Sequence, residues 1–181
     1  MLKKVLIIIA AIILIIIGYL AYSGFFASVE ITEGEVGPYK FVGKEFLGDY
    51  QLSGDRQDSI YKDLTAKGFE LTEGFGIYRD NPDKVAVENL RSMVGSVLPE
   101  KYYDRIPELE REGYIVQEMG KTKSVIVEFP FRNSLSIIAS VIKVYPELEL
   151  YFAEKGYGNV PSLEIYTQDK IIISMEIIEN Y

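Results

Sequence analysis

The chain has 181 residues, a formal net charge of −8, 13% aromatic residues, and neither histidine, cysteine nor tryptophan. That length allows one membrane segment plus one domain large enough to bury a core. The missing residue types exclude a Ser-His-Asp triad, a thiol nucleophile, a disulfide framework, a histidine-ligated haem and a zinc site, and no cofactor or metal is expected. Lys3 and Lys4 are the only charges in the first 22 residues, so the rest of the chain carries about −10. An acidic surface repels phosphate backbones, and no basic stripe offsets it, so nucleic acid is not an expected partner.

Val5 to Tyr22 is almost uninterrupted Ile, Leu, Ala and Val. At 1.5 Å per residue, about 18–20 such residues cross a hydrocarbon core of roughly 30 Å. Residues 1–23 therefore read as an N-terminal, single-pass transmembrane anchor. The alternative is a signal peptide cut near Ala21–Tyr22–Ser23. Lys3 and Lys4 precede the segment, which puts the short N-terminus in the cytoplasm and the domain on the extracytoplasmic side, with a cytosolic domain as the alternative.

Residues 24–37 read as a juxtamembrane linker with a brief strand at Val29–Ile31, and residues 38–181 as the domain. Tyr39 to Tyr50 predicts a strand with Gly43 as a bulge. Ser53–Gly54–Asp55 opens a helix that runs to about Ala66 and stops at Lys67–Gly68. Phe75–Tyr78 predicts a strand ended by the turn Arg79–Asp80–Asn81–Pro82. Leu90–Leu98 is another strand, and Pro99–Gly113 a connector with a short helical turn. Ser124–Phe129 is a strand, followed by a helix capped by Asn133 or Ser134. Pro146 is expected to interrupt that helix, leaving a second piece from Glu147 to Lys155 that ends at Gly156. Strands at Leu163–Tyr166 and Ile171–Ile178 close the chain.

The order strand–helix–strand–strand thus occurs twice, which predicts an α+β domain of duplicated units with antiparallel sheets rather than a doubly wound one. A local echo supports duplication: Phe75–Gly76–Ile77–Tyr78 against Leu163–Glu164–Ile165–Tyr166. Two units related by a pseudo-twofold, each with its own sheet, would leave a groove between them.

Glu164 is a carboxylate inside an otherwise apolar strand. Side chains alternate along a strand, so Glu164 and Tyr166 share one face, and Leu163 and Ile165 the other. Either that face belongs to a pocket, or the strand is an edge with Glu164 in water. With Gln168 and Asp169 at a hairpin tip, Glu164 falls opposite Ile173 and Glu176 faces away, against a paired-carboxylate site. Asp80 reads as a turn residue, and Arg91 as the partner of a carboxylate across the sheet.

The chain resembles the GyrI-like small-molecule-binding domain family. The residues that carry the resemblance are Tyr78–Arg79–Asp80–Asn81–Pro82, Arg91 through Gly95, Phe129–Pro130–Phe131, and Pro161–Ser162–Leu163–Glu164–Ile165–Tyr166, in family order over roughly residues 30–178. Tyr22–Ser23–Gly24 after a membrane helix looks most like the membrane-anchored members, among them animal endoplasmic-reticulum autophagy receptors. Those carry a long cytosolic tail that this sequence lacks, so the resemblance does not carry over the autophagy role. It implies that Glu164 points into a ligand groove and meets a small cationic or amphipathic ligand, with Tyr78 and Tyr166 as pocket walls. Two other functions remain open. Some family members resemble hydrolases of strained-ring, cyclopropane-bearing compounds, in which Glu164 would act as a general base and Tyr78 or Tyr166 as a proton donor. The third is a membrane-tethered protein-interaction scaffold.

Overall fold

The structure, a computed structural model, describes residues 2–178; positions 1 and 179–181, the extremes of the expected anchor and domain, lie outside the described residues. Helix α1 spans Leu2–Tyr22 and buries none of its residues. It is long and apolar enough to cross a membrane by length and composition. Eight strands and three further α-helices follow among the described residues. The strands are β1 (Ile31–Val36), β2 (Tyr39–Leu47), β3 (Gly74–Tyr78), β4 (Arg91–Val97), β5 (Ile115–Met119), β6 (Thr122–Pro130), β7 (Ser162–Tyr166) and β8 (Lys170–Glu176). The helices are α2 (Ser53–Ala66), α3 (Ile106–Arg111) and α4 (Ser134–Lys155).

Local signals explain most boundaries. Gly68 and Gly156 follow the ends of α2 and α4 with positive φ, where a Cβ would be strained. Asn133 caps α4 by accepting from Leu135 N, and the Ser136 hydroxyl closes a capping box on the Asn133 amide. Pro146 does not interrupt α4, contrary to the sequence expectation. Val144, Leu148 and Phe152 sit on both sides of it and bury into one apolar cluster, which keeps the helix whole despite the lost hydrogen bond. Strand β5 falls where the sequence analysis places no element.

The strands form one antiparallel sheet in the order β1-β6-β8-β7-β3-β4-β2-β5, not two sheets. The order is symmetric about the β3–β7 junction, where the two echoing strands lie side by side with Gly76 opposite Glu164. The first strand of each unit is exchanged: β1 pairs with β6 and β5 with β2. This exchange curls the sheet. Strands β1 and β2 stand six places apart, about 29 Å in a flat sheet, yet only Gly37 and Pro38 join them, a reach of about 11 Å. The edges must therefore approach one another.

Gly43 and Gly95 face each other across β2 and β4. A Cβ on Gly95 would stand 2.6 Å from the Gly43 Cα, so glycine is what lets these backbones close.

Two faces result. Phe41, Phe75, Ile77, Met93, Leu163 and Ile165 fill the face without α2 and α4. The other face carries two separate clusters, α2 over Val42 and Val94, and α4 over Val125, Val127, Ile171 and Ile173. Residues 24–37, expected to be a linker, are instead part of the packed domain. Phe25, Ala27, Val29 and Ile31 pack against the α4 cluster, and β1 is an edge of the sheet.

Candidate functional site

Between the two helix clusters lies a strip contributed by β3 and β7. Register places Gly76 beside Val94 and Glu164 beside Ile173, both on the helix-bearing face. The strip therefore consists of Gly74, Gly76 and Tyr78 from one unit, and Ser162, Glu164 and Tyr166 from the other. It is the polar seam of a face that is otherwise apolar.

Glu164 is 2% exposed, so it is not a solvated edge residue. Its two carboxylate oxygens accept hydrogen bonds from the Tyr145 and Tyr166 hydroxyls. The Tyr145 hydroxyl also lies 2.9 Å from Ser162 Oγ, and Tyr166 Oη lies 3.4 Å from Tyr78 Oη. No lysine or arginine pairs with Glu164 among the described residues. Burial pushes its carboxyl above the ordinary glutamate value, and the two phenol donors pull part of the way back. Burial first, then the neighbouring carboxylate, raises the Tyr145 and Tyr166 hydroxyls well above the ordinary tyrosine value. Tyr78 is raised by the same two causes.

Gly76 makes the cluster possible. A Cβ there would stand 2.7–2.9 Å from the Tyr78 ring and hydroxyl, so the Tyr78 ring lies over the glycine, next to Glu164. The Tyr50 ring meets that of Tyr78 edge-on at 4.9 Å between centroids. Ser92 Oγ, beside Tyr78 in register, is buried without a hydrogen-bond partner among the described residues.

Of the residues expected at a site, Glu164, Tyr166 and Tyr78 are thus brought together. Tyr145 and Tyr50 were not anticipated. Tyr145 was hidden by the expected break at Pro146; with α4 continuous, it shares a helix face with Ile138, Val141 and Ile142 at spacings of seven, four and three. Glu176 sits at the exposed end of β8, away from Glu164. Asp80 and Arg91 form a two-pronged ion pair, at 2.7 Å and 3.0 Å, that ties the loop after β3 to the start of β4.

The strand order, the duplicated units and the helix pair define a GyrI-like α+β fold. The C-terminal domain of EcmrR superposes with a TM-score of 0.59 at 15% identity, covering 84% of this chain and 99% of that one. SAV2435 bound to tetraphenylphosphonium superposes with a TM-score of 0.57 at 12% identity, covering 82% and 94%. In sequence, human testis-expressed protein 264 is 29% identical over 163 residues, 87% of this chain and 51% of that protein. The chain spans about half the length of the curated relatives it matches. No family model matches it.

Proposed function

We propose that this chain is a membrane-anchored, GyrI-like binding module that takes a small lipophilic cation over Glu164, between α2 and α4. The observation that carries this reading is a deeply buried carboxylate held by phenol hydroxyls, with no lysine or arginine beside it among the described residues. An ionised carboxylate so placed costs several kcal/mol of desolvation, roughly, unless a counter-charge offsets it. A bound cation would be that counter-charge. The tyrosine rings around it suit the same ligand, since an aromatic face attracts a cation by about 0.5–2 kcal/mol per contact.

The Tyr78 ring occupies the space over Gly76, so entry of a bulky ligand requires that ring to swing aside. SAV2435, a protein of similar fold, is described with tetraphenylphosphonium bound, and that molecule is a lipophilic cation. Residues 1–23 serve as the anchor. Lys3 and Lys4 favour an extracytoplasmic domain, a cytosolic one being the alternative. The alternative is strained-ring hydrolysis, with Glu164 as general base and Tyr78 or Tyr166 as proton donor; it is less well supported, because burial raises both hydroxyls above the ordinary tyrosine value and so makes them weaker acids.

The test is calorimetric titration of the full chain in nanodiscs with tetraphenylphosphonium, referenced to empty nanodiscs. Saturable one-site heat above the reference is expected. A titration indistinguishable from empty nanodiscs would remove the cation reading and favour the scaffold.

A further inference from the structure

Helix α1 is not hung on the domain by a flexible tether. It closes on Ser23, whose hydroxyl donates to Tyr19 O at 2.8 Å and accepts from Asn133 Nδ2 at 3.0 Å. Ser23 is fully buried, Gly24 packs against Phe129 and Pro130, and Phe25 enters the α4 cluster. Asn133 is also the N-cap of α4, so α4 begins at the point where α1 leaves its apolar stretch. Its first ten residues from the cap, 133–142, contain no charge; the first is Lys143. Within them Ile138, Val141 and Ile142 are 51%, 46% and 60% exposed on one helix face. Phe26, beside the exit, is 68% exposed, and Arg132 just before the cap is also exposed. The acidic residues of α4, Glu147, Glu149 and Glu154, all lie in its second half.

We infer that the apolar face of the first half of α4 rests on the bilayer that holds α1. The occupant follows from continuity: the face begins at the residue bonded to the end of the membrane helix, and it is uncharged where it is nearest that end. An amphipathic helix lying in the interface buries such a face into the headgroup and acyl boundary, and aromatic and basic residues such as Phe26 and Arg132 suit the same depth. The stripe leads along α4 to Tyr145, so the Glu164 strip lies close to the membrane surface. This inference rests on α1 being the anchor proposed above.

The chain has no cysteine, so one introduced thiol takes a nitroxide label cleanly. Four single variants of the full chain in lipid nanodiscs suffice: Ile12→Cys in α1, Ile138→Cys and Ile142→Cys in α4, and Glu110→Cys on α3. All four positions are exposed, so the fold tolerates the label. The reading is the ratio of collision with oxygen, which dissolves in lipid, to collision with a water-soluble nickel chelate. The ratio is expected to be severalfold higher at Ile138 and Ile142 than at Glu110. Equal ratios at 138, 142 and 110, with a high ratio at 12, would overturn the α4 contact and leave the anchor intact. A water-like ratio at 12 would remove the anchor, and the inference with it.

Discussion

Glu164→Gln is the substitution that separates binding from structure most sharply. Both oxygens of Glu164 accept from phenols, Tyr145 on one and Tyr166 on the other. The glutamine oxygen replaces one acceptor. Its amide nitrogen can donate to the other phenol oxygen if that phenol turns its own proton elsewhere. Both have somewhere to turn it: Tyr145 to Ser162 Oγ at 2.9 Å, Tyr166 to Tyr78 Oη at 3.4 Å. The loss is then at most one hydrogen bond, about 0.5–1.5 kcal/mol. Against it stands the release of a buried charge. Burial raises the Glu164 carboxyl above its ordinary 4.5, so the folded domain holds this proton to higher pH than the unfolded chain. Its contribution to stability is complete below 4.5 and is lost as pH rises through the folded value. Glutamine mimics the protonated form, so the variant gains on the wild type as pH rises and equals or exceeds it in neutral solution. Cation binding runs the other way. A charge-assisted contact is worth about 1.5–3 kcal/mol, so tetraphenylphosphonium affinity should fall roughly ten- to hundredfold in the variant. Wild-type affinity should rise with pH as the carboxylate ionises, and the variant's should stay flat. Titration calorimetry and thermal denaturation between pH 4.5 and 8 read both. Unchanged binding together with a large loss of stability at every pH would show that Glu164 is a structural partner of the tyrosines, and the cation site would fall.

Gly95→Ala forces a Cβ to 2.6 Å from the Gly43 Cα and 2.9 Å from the Val42 carbonyl carbon, where only backbone could yield. A loss of about 3 kcal/mol or more is expected in thermal or denaturant melts. Gly120→Ala meets nothing within 4 Å and should stay within about 0.5 kcal/mol, so equal melts for the two variants would refute the close-approach argument. Asp80→Asn removes the two-pronged contact with Arg91, which holds the Asp80 carboxyl below its ordinary 3.8. A depressed carboxylate stabilises above its unfolded pKa and loses that contribution as pH falls. The variant should melt lower than the wild type at pH 7, and the two melting temperatures should converge on acidification below pH 4. A constant gap down to pH 2.5 would show that the charge is not what matters.

The local features were legible in the sequence, because a cap, a turn and a period are each decided within a few residues. Ser53–Ala66 stands where Ser53–Gly54–Asp55 and Gly68 place it, and α4 starts at Asn133 and ends before Gly156. A hairpin tip at Gln168–Asp169 sets Glu164 opposite Ile173, as the pairing of β7 and β8 has it. The echo of β3 and β7 was also visible, but not that the two strands pair side by side and set Gly76 opposite Glu164. Other features depend on residues far apart in the chain. Ile115–Met119 alternates too weakly to announce a strand, and it becomes one by pairing with β2 more than seventy residues earlier. Pro146 breaks a helix in isolation; here burial of Val144, Leu148 and Phe152 against β6 and β8 outweighs the lost bond. The exchange of β1 and β5 between units turns two expected sheets into one curled sheet, and packs the expected linker against α4. That curl, and the unbroken α4, bring Tyr145 over Glu164 nineteen positions away and Tyr50 against Tyr78. A strand pattern shows that a glutamate lies on one face. Only the packing of distant elements decides whether that face meets water or three tyrosine rings.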